Sequence, residues 1–368
     1  MKILYVTTIS STMAFFPEHI RMLQAGGHTV ELAANFSRPA DDRVTDLSCI
    51  CHHIPFSRSV GSKDNVRAFL ELKKLLHEGD YDIVHTHTPN ASVIVRLACR
   101  KMRKKGLRVF YTAHGFHFYK GASVKNWMFF FPVEWVCARW TDVLITINRE
   151  DYRFAKRWMK PGRVEYVPGV GIDTVKYNNV SVDIEEKRRE MGIRNGDVML
   201  LSVGELNQNK NHEAVIRALA GINDKKLHYM IAGRGCLFKN LCGLADQLGV
   251  GERVHLLGYR DDVAQLYQCA DIYLLPSARE GLNVSLMEAM ASRLPCIVSK
   301  IRGNEELVVE GKGGLLCGKP YAKRFADAIK KLADDKSMRL HMGTFNRERV
   351  KKFGNDRVLK KMKGIYQE

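Results

Sequence analysis

The 368-residue sequence lacks any apolar run long enough to cross a membrane. Its longest, from Trp127 to Val133, falls far short of the about 20 residues that span a bilayer. Met1 to Val6 lead straight into a strand-like pattern, so no secretory leader is expected. The nine cysteines are scattered and odd in number, which suits a reducing compartment better than a disulfide framework. Gly-x-Ser-x-Gly is absent, which argues against an α/β-hydrolase nucleophile elbow. Acid is scarce: 40 Asp and Glu stand against 58 Lys and Arg, a net charge of +18. That excess fits nucleic acid, an anionic membrane or an anionic substrate, and does not choose among them. Hydrophobic residues at 45% and charged residues at 27% exclude a disordered or fibrous chain. The length accommodates two or three domains whose cores need no disulfide staples.

What is present is an alternation of apolar strands and amphipathic helices. Strands are predicted over 3–9, 29–33, 83–87, 109–112, 143–147 and 164–167. The pattern then restarts, with strands over 198–203, 227–231, 254–257, 272–275 and 296–298. Helices fall between them, among them 16–24, 65–77, 211–220, 237–248, 262–269, 284–292 and 322–333. Apolar strands separated by helices imply parallel sheets covered on both faces. Val167-Pro168-Gly169-Val170-Gly171 reads as a hinge. The expected fold is α/β, with two doubly wound, Rossmann-like domains facing across a cleft. Ligands of such sheets bind at the carboxyl ends of the strands.

Ile272 to Ser292 is the most informative stretch, reading as strand, short loop and helix. Glu280 lies in the loop and Glu288 in the second turn of the helix. Gly281-Leu282-Asn283 between them can present backbone N–H groups at a helix N-terminus, a ready site for a diphosphate. A carboxylate one or two turns further in can accept from two adjacent hydroxyls. A capping Glu followed by a solvated Glu has the same spacing, so the pair alone does not decide. Ser202 to Lys210 also runs from a strand towards a helix, where a Lys can reach a phosphate as a point charge. His114 follows another strand. Gly233-Arg234-Gly235 is a dinucleotide fingerprint without its third Gly, weak evidence for NAD.

The Glu280-to-Glu288 segment resembles the Glu-x7-Glu region of the retaining glycosyltransferases of family 4, which have the GT-B fold. Leu275-Pro276-Ser277 and Met287-Glu288-Ala289-Met290-Ala291 strengthen the likeness, which runs from Lys2 to Ala333. Tyr111 to Phe118 and Pro168 to Asp173 are similar to the branch that builds bacterial capsules and exopolysaccharides. The resemblance implies that Glu280 lies against the donor sugar and that Glu288 binds the nucleotide ribose. It implies that Lys210, with Gly281, Leu282 and Asn283, holds the diphosphate. It puts Gly233, Tyr259 and Arg260 near the nucleotide, His114 near the donor sugar as a catalytic group, and His87 and His117 on the acceptor side. Where the family usually has an Arg, this chain has Glu205; either Lys210 and backbone dipoles neutralise the leaving group alone, or Arg260 or Arg302 replaces the missing charge.

The resemblance further implies a nucleotide diphosphate sugar, expected to be UDP-linked, as donor. The acceptor would be a saccharide linked to a polyprenyl diphosphate, and no cofactor or metal is expected. Residues 1–174 would bind the acceptor and 175–345 the nucleotide sugar, with 346–368 a helix packing back towards the N-terminal domain. A nucleotide-sugar 2-epimerase on the same fold, or a non-catalytic membrane-associated scaffold, are the alternatives.

Two further patterns tempt. Cys49-Ile50-Cys51-His52-His53 has metal-ligating residues, but it alternates like a strand and lacks a second ligand pair at zinc-finger spacing. Asp80-Tyr81-Asp82 matches a metal-binding Asp-x-Asp, but it falls at the amino end of a strand, away from the expected site. Arg96 to Arg108 contains seven basic residues and no acid, and the aromatic run at 127–131 follows. Basic residues contribute about 1 kcal/mol each near an anionic leaflet, and aromatic groups favour the interface. Peripheral association with the inner face of the cytoplasmic membrane is expected. No module for reading bases is present, so nucleic acid is not expected as a partner.

Overall fold

The computed structural model describes residues 1–319 and 321–367. The chain forms two compact units, one of Met1–Gly171 with the segment from Asn355 onward, the other of Ile172–Gly354. The boundary falls at 171/172, a little before the expected 174/175.

The first unit contains β1 (Lys2–Ile9), α1 (Pro17–Ala25), β2 (Thr29–Asn35), α2 (Asp42–Thr45), β3 (Cys51–His53), α3 (Asp64–Gly79), β4 (Ile83–Thr86), α4 (Pro89–Cys99), β5 (Arg108–Ala113), α5 (Val124–Ala138), β6 (Val143–Thr146), α6 (Arg149–Trp158) and β7 (Arg163–Tyr166). Its seven strands are parallel, in the order β3-β2-β1-β4-β5-β6-β7. The interior strand β1 pairs with β2 and β4, and Ile3 to Val6 are fully buried. That is why it reads as a continuous apolar run rather than an alternating one.

The second unit contains α7 (Ile184–Glu190), β8 (Val198–Val203), α8 (Glu213–Ala220), β9 (Leu227–Ala232), α9 (Phe238–Gln247), β10 (Val254–Gly258), α10 (Val263–Cys269), β11 (Ile272–Leu275), α11 (Val284–Ala291), β12 (Cys296–Ser299), α12 (Arg302–Leu307), β13 (Gly314–Cys317), α13 (Tyr321–Asp334) and α14 (Lys336–Val350). Its six parallel strands run β10-β9-β8-β11-β12-β13. Strand order reverses between β1 and β4 in one sheet and between β8 and β11 in the other. Such a reversal opens a crevice at the carboxyl ends of the two strands, where doubly wound sheets bind ligands.

The last helix, α15 (Asn355–Gln367), completes the first unit. Val358, Met362, Ile365 and Tyr366 form its buried stripe, at the spacing of one helical face. They pack into the cluster of Ile3, Tyr5, Ile20 and Phe110. A side chain at Gly171, where φ is +85°, would bring a Cβ within 2.4 Å of Asn355 Oδ1. The expected returning segment began at 346; residues 346–350 instead finish α14, within the second unit.

The basic stretch 96–108 is not one solvated face. Arg96 is fully buried. It donates to Glu134 Oε2 at 2.8 Å and to the Ser92 carbonyl at 3.0 Å, and stacks 4.3 Å from the Tyr111 ring centroid. A buried guanidinium needs such a partner, because an unpaired charge in the interior is strongly destabilising. Arg103 donates to Asp142 at 2.9 Å, while Lys101, Lys104 and Lys105 are exposed. Among the described residues no helix is long and apolar enough to cross a membrane.

Candidate active site

In the second unit the loops after β8 and β11 meet at the strand-order reversal. The Asn209 carbonyl accepts from the Ala278 amide at 2.7 Å, and Asn209 Nδ2 donates to the Arg279 carbonyl at 3.0 Å. Asn211 Nδ2 donates to the Pro276 carbonyl at 3.1 Å. This stitching brings Lys210 Nζ to 2.7 Å from Glu280 Oε1, with both side chains mostly buried. Two charges held together at a strand-order reversal are suited to rearrangement around a charged ligand.

Asn283 caps α11. Its Oδ1 accepts from the Leu286 amide at 2.9 Å and from Ser285 Oγ at 2.7 Å, the side-chain bond that satisfies an otherwise orphaned amide. Leu282 is buried. Gly303 in α12 packs so tightly that an added Cβ would lie 1.6 Å from the Gly281 carbonyl oxygen. The loops after β8 and β9 also meet backbone to backbone, since a Cβ on Gly233 would fall 1.8 Å from the Gly204 carbonyl oxygen. These contacts explain the glycines at 233 and 303 by space alone.

Glu288 projects from the second turn of α11 into a pair of phenols. Tyr177 donates to its Oε1 at 2.6 Å and Tyr267 to its Oε2 at 2.9 Å. The sequence reading missed both tyrosines. Nothing in local spacing links residue 177 or 267 to residue 288; only the folded unit does.

Tyr259 is 67% exposed, with the Arg234 guanidinium 5.2 Å from its ring centroid. Arg260 Nε donates to Asp262 Oδ1 at 2.7 Å, and Lys187 Nζ lies 2.8 Å from the same carboxylate. The Arg260 hydrogen bond, aided by Lys187, pulls the Asp262 carboxyl down to about 2. This commitment to Asp262 makes Arg260 a poor substitute for the family's usual Arg. Glu205 is exposed.

In the first unit, His87 follows β4 and His114 follows β5. His87 Nδ1 lies 3.4 Å from His114 Nε2. The His87 ring stacks on Tyr5 at 4.3 Å and lies 4.1 Å from the His85 ring. His85 Nε2 is 2.8 Å from Thr112 Oγ1, and its Nδ1 meets the hydroxyl of Tyr366 on α15. Burial drives His85 and His87 well below the ordinary imidazole value and takes His114 down to about 4. These are neutral rings near pH 7, able to donate through one nitrogen and accept through the other. His117 lies against α5, stacked on Phe130 at 4.5 Å.

The declined metal patterns have structural partners. His52 Nε2 lies 2.7 Å from Glu31 Oε2, and Asp82 Oδ2 accepts from the Lys2 amide at 2.7 Å. Among the described residues no group of three or more His, Cys, Asp or Glu could hold a metal ion.

Two doubly wound parallel-sheet units in one chain are the GT-B architecture of a large class of glycosyltransferases. Residues 18–175 match the family Glycosyltransferase Family 4, and residues 183–349 match Glycosyl transferases group 1. EpsD of Bacillus subtilis (strain 168), which carries a glycosyltransferase name, is 35% identical over 99% of this chain and 96% of its own length. The Escherichia coli UDP-Gal:alpha-D-GlcNAc-diphosphoundecaprenol alpha-1,3-galactosyltransferase is 28% identical over 92% of this chain and 88% of its own length. The structure of HepE from Anabaena in complex with UDP and glucose superposes with a TM-score of 0.83, at 19% identity, over 100% of this chain and 99% of that one. The chain belongs to the family 4, group 1 glycosyltransferases and is a transferase enzyme. The epimerase alternative has no counterpart among these relatives.

The buried neutral histidines make stability pH-dependent. Unfolded, each protonates near its ordinary value of about 6.5, so from there down to about pH 4 the unfolded chain holds more protons. Stability should therefore fall as pH falls through that window, by roughly 2 kcal/mol at pH 5 for each histidine held near pH 4. His212, also down at about 4 through burial, adds to the effect. Thermal unfolding should show a lower midpoint at pH 5 than at pH 7.5; an equal midpoint would contradict neutral burial.

Proposed function

We propose that this glycosyltransferase moves a sugar, with retention of anomeric configuration, from a UDP-linked donor to a saccharide carried on a polyprenyl diphosphate, in bacterial surface-polysaccharide synthesis. The observation that carries the reading is the convergence of Lys210, Glu280, the N-terminus of α11 and Glu288 at the strand-order reversal of the second sheet. Glu288 accepts from the ribose hydroxyls. Lys210 and the amides of 281–283 take the charge of the diphosphate, and Gly233 and Tyr259 line the nucleotide. Arg260 acts there through the Asp262 pair rather than as a free cation.

Glu280, relieved of Lys210 when the diphosphate arrives, faces the sugar. The bond from the anomeric carbon to the diphosphate breaks, and the acceptor hydroxyl oxygen bonds to that carbon from the same face. The hydroxyl proton passes to the departing diphosphate. Orientation and stabilisation of the leaving group supply most of the acceleration. His114 is assigned a hydrogen bond to a sugar hydroxyl, and His87 and His117 the acceptor side. The scheme uses no metal and no cofactor. The named substrates of the Escherichia coli relative support a UDP donor and a diphosphoundecaprenol-linked acceptor.

Mixing the protein with a panel of UDP-sugars and a diphosphopolyprenyl-GlcNAc acceptor should yield a lipid-linked product one sugar heavier by mass spectrometry. An epimerised donor with no acceptor product would overturn transfer. Glu288→Ala should weaken UDP binding about tenfold or more, from the loss of hydrogen bonds to a charged group. Calorimetry showing unchanged affinity would sink the ribose assignment.

Association with an anionic membrane is part of the same proposal. Met128 and Phe129 on α5 are 69% and 72% exposed, and Lys101, Lys104 and Lys105 are exposed as well. Sedimentation with anionic vesicles should fall when the three lysines are made Glu, and again for Met128→Ser with Phe129→Ser. Equal sedimentation of wild type and both variants would remove the membrane from the scheme.

A further inference from the structure

Glu288 is held at both ends of its carboxylate. Tyr177 donates to one oxygen at 2.6 Å and Tyr267 to the other at 2.9 Å. The two rings meet edge to face, with centroids 5.9 Å apart and planes at 75°. Neither phenol is loosely placed. The Tyr177 carbonyl accepts from Gln268 Nε2 at 2.8 Å and from Ser292 Oγ at 3.3 Å. The turn before it is fixed by Asp173 Oδ1, which accepts from the Val175 and Lys176 amides at 3.0 and 2.9 Å. Tyr267 is fully buried, and its hydroxyl also lies 3.1 Å from the Ser285 carbonyl oxygen. Ser285 Oγ in turn lies 2.8 Å from the Tyr273 hydroxyl and 3.0 Å from the Val203 carbonyl oxygen, which sets the clamp against the end of β8.

A solvated glutamate turns freely about its last bond and offers about four acceptor positions. Here each oxygen has one position filled by a phenol, and rotation would break both bonds. What remains is one acceptor position on each oxygen, fixed in space. That is a preset receptor for two hydroxyls on adjacent carbons. Burial, with Glu288 beside it, drives the Tyr267 phenol well above its ordinary value, so it stays a donor over the working pH range.

We propose that Tyr177 and Tyr267 are positioning residues that fix Glu288 as a two-point acceptor for a vicinal diol, and thereby set the selectivity of this site for ribonucleotides over 2′-deoxyribonucleotides. The proposal rests on the reading of Glu288 as the ribose-binding carboxylate. A site built to bond a hydroxyl discriminates strongly against a ligand that lacks it, because its polar group is left unpaired. Without the phenols the carboxylate can turn to serve the remaining hydroxyl, and the discrimination should relax.

The test is calorimetric titration of the full chain with UDP and with 2′-deoxy-UDP, for wild type, Tyr177→Phe, Tyr267→Phe and Glu288→Gln. Wild type is expected to prefer UDP by about tenfold or more, the equivalent of one hydrogen bond to a charged group. Each Tyr→Phe variant should lower that preference about threefold or more, mainly by weakening UDP and with 2′-deoxy-UDP held near wild-type affinity. Tyr177, only partly buried, gives the variant that disturbs packing least, and loosened packing alone would weaken both nucleotides alike. A preference kept in both Tyr variants but lost in Glu288→Gln overturns the positioning role and leaves the ribose reading standing. A preference absent from wild type, or unchanged in Glu288→Gln, removes the ribose reading and this proposal together.

Discussion

The contact on which the second unit's site depends is the ion pair between Lys210 and Glu280, 2.7 Å apart. It joins the loops that leave β8 and β11, the two strands between which the sheet reverses direction. With both side chains mostly buried, neither charge is served well by water, and each needs the other while no ligand is present. In the proposed scheme a diphosphate offers Lys210 a second anion and releases Glu280 towards the sugar that the diphosphate carries. The remaining features follow from this junction. Asn209 and Asn211 fix the loops around it, and the close approaches at Gly233 and Gly303 leave no room for side chains between the surrounding turns.

The first unit is organised around buried histidines rather than an ion pair. Tyr366, on the helix that returns after the second unit, bonds His85; His85 lies ring against ring with His87, and His87 reaches His114. The end of the chain is thus tied to groups at the carboxyl ends of β4 and β5. Keeping these rings neutral in the interior avoids the larger cost of burying charge.

Much of this was legible in the sequence because the strands are buried on both faces. Strands such as Ile272–Leu275 and Ile83–Thr86 are entirely buried, the polar His85 and Thr86 included, so they read as short continuous runs rather than as an alternating pattern. The weaker signals belong to edges. β13 is four residues long and begins at Gly314, and β3 holds only Cys51, His52 and His53, the first and last of them exposed. Glu280 and Glu288 could be singled out because a short loop and one helix set their spacing, and Lys210 because it follows one strand and precedes a helix. Tyr177 and Tyr267 could not, since they reach Glu288 across 111 and 21 residues of chain. Arg96 misled for the opposite reason. It sits within a dense run of cations, and only its pairing with Glu134, 38 residues away, shows that it is an interior residue.

Hydrogen–deuterium exchange of the full chain, with and without saturating UDP, tests most directly whether the second unit's strand-reversal site holds the nucleotide. Slower amide exchange is expected over 203–211 and 276–288, the two loops and the start of α11 that surround Lys210, Glu280 and Glu288. Protection confined to other segments, with those two unchanged at saturation, would contradict the account.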